Sequence, residues 1–110
     1  MLDGKYGILL NSPMGPINGN ITLITNGNNV QGILDIMGMN SNLNGFKISN
    51  DKCKFTGNFN TPLGNINYDA VCTVNGNSLQ IDANTKYGNL KIEGKRKWSN
   101  LHFLFPSIYW

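Results

Sequence analysis

Ser12-Pro13-Met14-Gly15 and Thr61-Pro62-Leu63-Gly64 are the two stretches that decide the fold predicted by this sequence. Each begins with Ser or Thr and has Pro second and Gly fourth, which are the residue preferences of a type I β-turn. Apolar and polar residues alternate on both sides of each stretch, so each predicts the tip of a β-hairpin. The two turns are 49 residues apart, which indicates a duplication.

The residues around the two turns repeat at the same 49-residue offset. Such a long internal repeat indicates two halves that are built alike. We expect one domain over residues 1–97, with repeat halves at about 5–49 and 54–97, followed by an apolar tail at 98–110. The matched positions include Tyr6 and Phe55, Leu10 and Phe59, Ile17 and Ile66, Asn26-Gly27-Asn28 and Asn75-Gly76-Asn77, and Gly45 and Gly94.

Eight strands are predicted, joined by short connections that use many of the nineteen Asn and thirteen Gly residues. Asn26-Gly27, Asn50-Asp51 and Asn75-Gly76 have the composition of tight hairpin turns. No segment of about ten residues or more has helical periodicity with capping residues at its ends. The predicted strands are 5–11, 16–25, 28–37, 42–49, 52–60, 65–74, 78–86 and 89–97.

The turns also predict which residues face each other across each hairpin. The proline turns place Tyr6 opposite Ile21 and Cys53 opposite Cys72. Turns centred on Asn26-Gly27 and Asn75-Gly76 would place Gly19 opposite Leu34 and Tyr68 opposite Ala83. One choice of inward face then collects most apolar residues, as a one-sided sheet requires. The inward set is Tyr6, Ile8, Leu10, Ile17, Ile21, Leu23, Val30, Leu34, Ile36, Cys53, Phe55, Phe59, Ile66, Tyr68, Ala70, Cys72, Val74, Leu79, Ile81, Ala83, Leu90 and Ile92.

An open meander of these strands would leave two unpaired edges, so we expect the sheet to close. The predicted fold is all-β: a single eight-stranded antiparallel up-and-down β-barrel of the lipocalin or calycin type, made of two similar four-stranded halves. The interior of an eight-stranded barrel is either filled by side chains or holds one small ligand.

Tyr68 is the main candidate for a ligand-binding residue, because it is an inward phenol with small predicted neighbours. Its equivalent in the first half is Gly19, which lies among large residues. One interpretation is a hydrogen-bond donor in an apolar cavity. The other is volume compensation, in which large and small residues exchange places between the halves. The candidate lumen residues are Tyr68, Gly19, Gly57, Ala83, Tyr6 and Phe55.

Three carboxylates are predicted to form one outward row across the second half, with Asp69 opposite Asp82 and Asp82 opposite Glu93. Oxygen ligands suit Ca²⁺ or Mg²⁺, so this row is a candidate cation or partner site. The alternative is a solvated face on which Lys91 and Lys95 lie beside Glu93.

Other reactive groups are few. Cys53 and Cys72 are expected to be two buried thiols, because a disulfide there is geometrically demanding and unexpected in a reducing compartment. His102 has no partner for a catalytic triad, and two Cys with one His do not form the usual structural zinc site. We therefore expect no metal and no cofactor, and we assign no catalytic residue.

The charge of the chain gives little sign of a polyanionic partner. The formal net charge is +3, and the basic excess is partly gathered in Lys91, Lys95, Arg96 and Lys97. A nucleic-acid interface usually has a denser basic stripe with aromatic residues between the charges. The N-terminus lacks the apolar run of a signal peptide, and no stretch approaches about 20 apolar residues. We expect a cytoplasmic protein without nucleic-acid or membrane partners.

Residues 98–110 are far more apolar than the rest of the chain. If exposed, such a stretch would promote aggregation. The outer face of the first half also carries apolar residues, whereas that of the second half is mostly Asn, Lys and Asp. We expect the tail to pack on the first-half face or on another subunit of a homo-oligomer, through Trp98, Phe103, Phe105 and Trp110.

From Gly4 through Arg96, the chain resembles a group of small bacterial, calycin-like β-barrel proteins. These also have two halves with [Ser/Thr]-Pro-x-Gly turns and Asn-Gly or Asp-Gly hairpins. Similar units occur appended to larger bacterial oxidoreductases, so the resemblance implies an accessory role, and it supplies no catalytic residues to carry over to this chain. That pattern normally ends near a Gly-x-Arg such as Gly94-Lys95-Arg96, and the 98–110 tail departs from it.

Three functions remain open at this point. The first is binding of a small apolar ligand in the lumen near Tyr68 and Gly19. The second is an oligomerisation or accessory role for a filled barrel. The third is a cofactor-independent isomerase, lyase or cyclase, which would also need a general base in the lumen. The sequence favours ligand binding over the other two.

Overall fold

Apolar residues that alternate between Asn- and Gly-rich turns form eight consecutive strands in the computed structural model, which describes residues 2–12, 15–36, 38–61, 64–86 and 88–97. Each strand pairs antiparallel with the next, and the last pairs with the first, so the sheet is a closed barrel. The predicted fold class is confirmed. The strands are β1 (Gly4–Ser12), β2 (Gly15–Asn26), β3 (Asn29–Ile36), β4 (Met39–Ser49), β5 (Lys52–Thr61), β6 (Gly64–Asn75), β7 (Ser78–Thr85) and β8 (Gly88–Arg96).

The internal repeat is visible in the strand bounds. Strands β6 and β7 begin and end 49 residues after β2 and β3. The predicted pairings of Tyr6 with Ile21 and of Cys53 with Cys72 are confirmed. The central residues of both proline turns, 13–14 and 62–63, and the tail at 98–110 lie outside the described residues.

The predicted centres of the two Asn-Gly turns are wrong by one residue. Asn26 pairs with Asn29, so Gly27 is the first central residue of its turn, and Asn75 pairs likewise with Ser78. Gly27 and Gly76 have φ values of 62° and 63°. The favoured two-residue hairpin turns require a positive φ at this first central position, which glycine adopts without steric cost.

This correction shifts the partners without changing the inward face. Moving the turn centre by one residue shifts the register by two, and side chains alternate with a period of two. Consequently Tyr68 faces Thr85 rather than Ala83, and Gly19 faces Ile36 rather than Leu34.

The buried core lies toward the end of the barrel that contains the β2–β3, β4–β5 and β6–β7 hairpins, here called the N-terminal end. The other end, which carries the β1–β2, β3–β4, β5–β6 and β7–β8 connections, is here called the proline-turn end. Leu2 and Leu43 join the core in addition to predicted inward residues. The buried apolar residues are Leu2, Tyr6, Ile8, Ile21, Leu23, Val30, Leu34, Leu43, Cys53, Phe55, Ala70, Cys72, Val74, Leu79, Ile81 and Ala83.

Arg96 ties the N-terminal segment to the last strand. Its Nη1 donates to the Asp3 carbonyl oxygen at 2.7 Å, and its guanidinium lies 4.8 Å from the centroid of the Tyr6 ring. The Tyr6 hydroxyl donates to the Leu2 carbonyl oxygen at 2.7 Å. Thr25 Oγ1 donates to the Asp3 carboxylate at 2.7 Å. These contacts hold Leu2, which is only 1% exposed, against the core at the N-terminal end.

We predict that Arg96→Ala lowers the free energy of unfolding by about 3 kcal/mol. The change removes a charged hydrogen bond, of about 1.5–3 kcal/mol, and a cation–π contact, of about 0.5–2 kcal/mol. The control is Lys47→Ala at the repeat-equivalent position, where we expect a loss below about 1 kcal/mol. Urea unfolding of both variants measures the difference, and equal losses would contradict the role assigned to Arg96.

Candidate ligand-binding site

The inner wall of the barrel is accessible near the proline-turn end. Leu90 points inward, opposite buried Ala83, yet is 38% exposed. Gly57 lies opposite Tyr68 and is also exposed, with its inner side against the Tyr68 ring. Inward side chains with intermediate exposure surround them, namely Leu10, Ile17, Ile36, Ser41, Ile66, Tyr68, Thr85 and Ile92. This end therefore presents a largely apolar surface to solvent inside the barrel wall.

The Tyr68 ring lies across Gly57. A Cβ atom on Gly57 would stand 3.0 Å from the Tyr68 hydroxyl oxygen and 3.4 Å from Cε1. In the first half, a Cβ atom on Gly19 would stand 2.7 Å from Ile36 Cγ1, so Ile36 covers that glycine. A large side chain thus lies over a small residue in each half, but on different strands. The reciprocal arrangement of sizes is present, with corrected partners.

Tyr68 is suited to donate a hydrogen bond as a neutral phenol. Burial of the side chain raises its pKa above the ordinary value for tyrosine. The hydroxyl therefore keeps its proton throughout the physiological range. A phenol in a mainly apolar surrounding can orient a ligand through one hydrogen bond.

Other candidate lumen residues lie elsewhere. Tyr6 is fully buried and uses its hydroxyl on the Leu2 carbonyl. Phe55 is 1% exposed, and its ring fills the space inside Gly32 and Gly45, with Cζ 3.3 Å from the position of a Cβ atom on Gly32. Both aromatic residues belong to the packed core rather than to the accessible wall.

Of the accessible wall, sequence reasoning named only Tyr68 and Gly57 as site residues, and it left Ser41 and Thr85 out of the inward set altogether. Thr85 has the inward parity of Ile81 and Ala83 under either turn centre, so the alternation along β7 was a usable signal. The incorrect centre hid only that Thr85 faces Tyr68. Ser41 and Leu90 are repeat equivalents, and no motif marks either. Their exposure results from their position near the end of the barrel.

The predicted row of three carboxylates does not form. Asp69 faces Asn84, Asp82 faces Lys91, and Glu93 faces Gln80, because the β6–β7 and β7–β8 registers differ by two residues from those expected. Asp69 instead pairs with Lys54, at an Oδ1–Nζ distance of 3.4 Å. Within the described ranges, no three His, Cys, Asp or Glu residues are grouped so as to hold a metal ion.

Cys53 and Cys72 are free thiols that face each other across β5 and β6, and both are fully buried. A hydrogen bond with Cys53, together with burial, raises the pKa of Cys72. The same hydrogen bond lowers the pKa of Cys53, but both thiols are enclosed and out of reach of a substrate, so this pair serves packing.

Comparison with known proteins establishes the fold alone. No protein-family model and no curated protein matches the chain. The similar solved structures include a redesigned β-barrel, mFAP1, bound to DFHBI, with 14% identity, TM-score 0.65 and coverage of 87% of this chain and 94% of that chain. A second redesigned barrel, b11L5F_LGL, has 15% identity, TM-score 0.60 and coverage of 87% and 91%. A third, a de novo designed fluorescence-activating β-barrel, has 13% identity, TM-score 0.54 and coverage of 86% and 93%.

In the described part of this chain, no helix has the length and apolar character needed to cross a membrane.

We predict that stability falls above pH 10. Burial raises the pKa of Tyr6 to about 12 in the folded chain. The unfolded chain loses the Tyr6 hydroxyl proton at a lower pH than the folded chain does. The stability that the protonated Tyr6 contributes is therefore complete below pH 10 and is lost as the pH rises through the folded pKa. Chemical unfolding should show a decrease of about 2–3 kcal/mol over this range, and Tyr6→Phe should lack most of that decrease. An identical pH dependence in Tyr6→Phe would contradict this assignment.

We also predict that the native protein is inert to a thiol reagent such as 5,5′-dithiobis(2-nitrobenzoate). Both thiols are enclosed, so labelling requires opening of the barrel. Absorbance should show no rapid phase in buffer and release equivalent to two thiols in guanidinium chloride, which matches the two cysteines of the chain. A rapid phase in buffer would show that a thiol is accessible in the native protein.

Proposed function

We propose that this protein binds a small, neutral, mainly apolar molecule at the proline-turn end of its barrel. The observation that carries this proposal is the exposure of inward residues near this end, above all the 38% exposure of Leu90. A wall that served only as core would have its apolar side chains covered. Eight-stranded barrels have an interior of a size that can hold one small ligand.

The chemistry of the wall favours an uncharged ligand. No charged side chain faces inward near this end among the described residues. An ion placed there would lose its hydration without gaining a partner of opposite charge. A neutral ligand with one acceptor atom could instead receive a hydrogen bond from Tyr68.

Binding is favoured over catalysis by the same set of residues. Proton-transfer reactions need a base with a suitable pKa within hydrogen-bond reach of the substrate. The inward polar groups described at this end are hydroxyls, and that of Thr85 donates to the Gly88 carbonyl oxygen at 3.0 Å. Neither a carboxylate nor an imidazole is present among them. The mFAP1 barrel, whose structure contains bound DFHBI, supports this choice by analogy of fold.

The proposal is tested by titration with N-phenyl-1-naphthylamine, a neutral probe whose fluorescence rises in apolar surroundings. Gly57→Leu should weaken probe binding at least about tenfold, or about 1.4 kcal/mol, because the new side chain occupies the accessible wall. The matched control is Asn58→Leu, on the next residue of β5 and on the outer face, which should bind like the native chain.

Two results would contradict the proposal. One is the absence of saturable probe binding to the native chain, and the other is equal weakening by Gly57→Leu and Asn58→Leu. Tyr68→Phe adds a separate measurement. If the hydroxyl contacts a natural ligand, native mass spectrometry should find a small molecule bound to the native chain and less of it bound to Tyr68→Phe. The variant should lose only about 1 kcal/mol of stability, the scale of one hydrogen bond.

A further inference from the structure

The outer surface of the first half carries an apolar patch that the second half lacks. Phe46, Ile48 and Ile24 point outward and are 50%, 53% and 45% exposed. We call these three residues and the outward Ile33 the outer patch. Their repeat equivalents are hydrophilic, namely Lys95, Lys97, Thr73 and Asp82.

This asymmetry shows that the outer patch is not needed to build the barrel. Strands β6 and β7 match β2 and β3 in bounds and hairpin register, so the same backbone is formed there with Thr73 and Asp82 in place of Ile24 and Ile33. Lys95 lies within β8 where Phe46 lies within β4. Exposed apolar residues that are grouped on one side of a small protein commonly mark an interaction surface. The formation of the barrel does not account for the apolar residues of the patch, so we look for a binding partner that covers them.

A cleft of about 370 Å³ adjoins the patch on the outer face of β2, β3 and β4. Ile24 is the patch residue that lines it, and four of the other lining residues are Asn or Gln. Its lining contains no charged side chain. An uncharged occupant can cover such a surface without desolvating an ion.

We propose that residues 98–110 of the same chain cover the outer patch. This segment contains no Asp, Glu, Lys or Arg, and eight of its thirteen residues are Trp, Leu, Phe, Ile or Tyr. Its chemistry thus matches the apolar side chains of the outer patch better than the equivalent second-half positions, which carry Lys95, Lys97 and Asp82. No other long stretch of the sequence combines these properties.

Residues 98–110 follow Lys97 at a position from which they can reach the outer patch. The Lys97 amide donates to the Lys5 carbonyl oxygen at 2.7 Å, so the chain leaves β8 beside β1, the first strand of that half. Four inter-strand steps, about 19 Å along the wall, separate β8 from β4. Thirteen residues span up to about 43 Å when extended, which is more than enough.

Covalent attachment favours this occupant over a second copy of the chain. A short tether gives an effective concentration on the order of millimolar at a site that it can reach. A second copy would lose translational and rotational freedom on association. The tail-to-patch contact therefore forms without a concentration threshold.

Tryptophan fluorescence tests the proposal in the full chain, because Trp98 and Trp110 are the only tryptophans. Phe46→Lys with Ile48→Lys gives the patch the residues of its repeat equivalents. We expect this variant to shift the emission maximum to longer wavelength, toward that of the guanidinium-denatured chain. The matched control adds the same charge to the second-half outer face, through Asn58→Lys with Thr73→Lys, and should keep the native emission maximum.

A second variant distinguishes loss of the tail contact from misfolding of the first variant. Phe103→Ser with Phe105→Ser leaves the barrel sequence intact and should produce the same shift, with an unchanged circular dichroism spectrum. Native emission that equals denatured emission, or an equal shift in the patch variant and its control, would overturn the proposal. A shift that depends on protein concentration, together with a dimer in light scattering, would also overturn it and assign the patch to a second copy.

Discussion

The guanidinium of Arg96 joins the last strand of the sheet to the first residues of the chain. It donates to the Asp3 carbonyl and covers the Tyr6 ring, while Tyr6 holds the Leu2 carbonyl. A sheet of this kind has two edges until its first and last strands meet, and an open edge is a site for aggregation. The Arg96 contacts stabilise the β8–β1 pairing at the N-terminal end, where the core is most completely buried.

Burial decreases from the N-terminal end toward the proline-turn end. Tyr6, Cys53 and Cys72 are fully enclosed, whereas Leu90 remains 38% exposed on the same inner surface. One end can therefore supply most of the stability, which leaves the other end with exposed apolar wall where we propose that a ligand binds. Binding sites are commonly drawn from such less-buried regions of a fold.

The duplicated halves have similar backbones but carry different side chains on their inner and outer faces. On the inner face, Tyr68 stands in the second half where Gly19 stands in the first. The Tyr68 ring lies over Gly57, whereas Ile36 lies over Gly19, so each large side chain covers a glycine on the neighbouring strand. On the outer face, Lys95 and Lys97 replace Phe46 and Ile48. The inner-face exchange leaves β6 with the bounds of β2, offset by 49 residues, because the turns and the period of two fix these strands whichever side chains they carry. On the outer face, β4 extends to Ser49, two residues beyond the position equivalent to the end of β8 at Arg96.

The sequence by itself determined the strands, the inward face and the repeat. Alternation of apolar residues and the proline turns carried this information, and Tyr6 opposite Ile21 and Cys53 opposite Cys72 were predicted correctly. It also identified Tyr68 as an inward phenol. These features depend on local periodicity and turn composition, which neighbouring residues express directly.

Tertiary structure alone decided the partners across the Asn-Gly hairpins, the separation of Asp69 from Asp82, and the register of the β8–β1 pairing that closes the barrel. A shift by two residues keeps every side chain on its face, so the hydrophobic pattern cannot detect it. The φ angle of one turn residue and the long-range pairing of β8 with β1 set these registers, and with them which residues line the accessible wall.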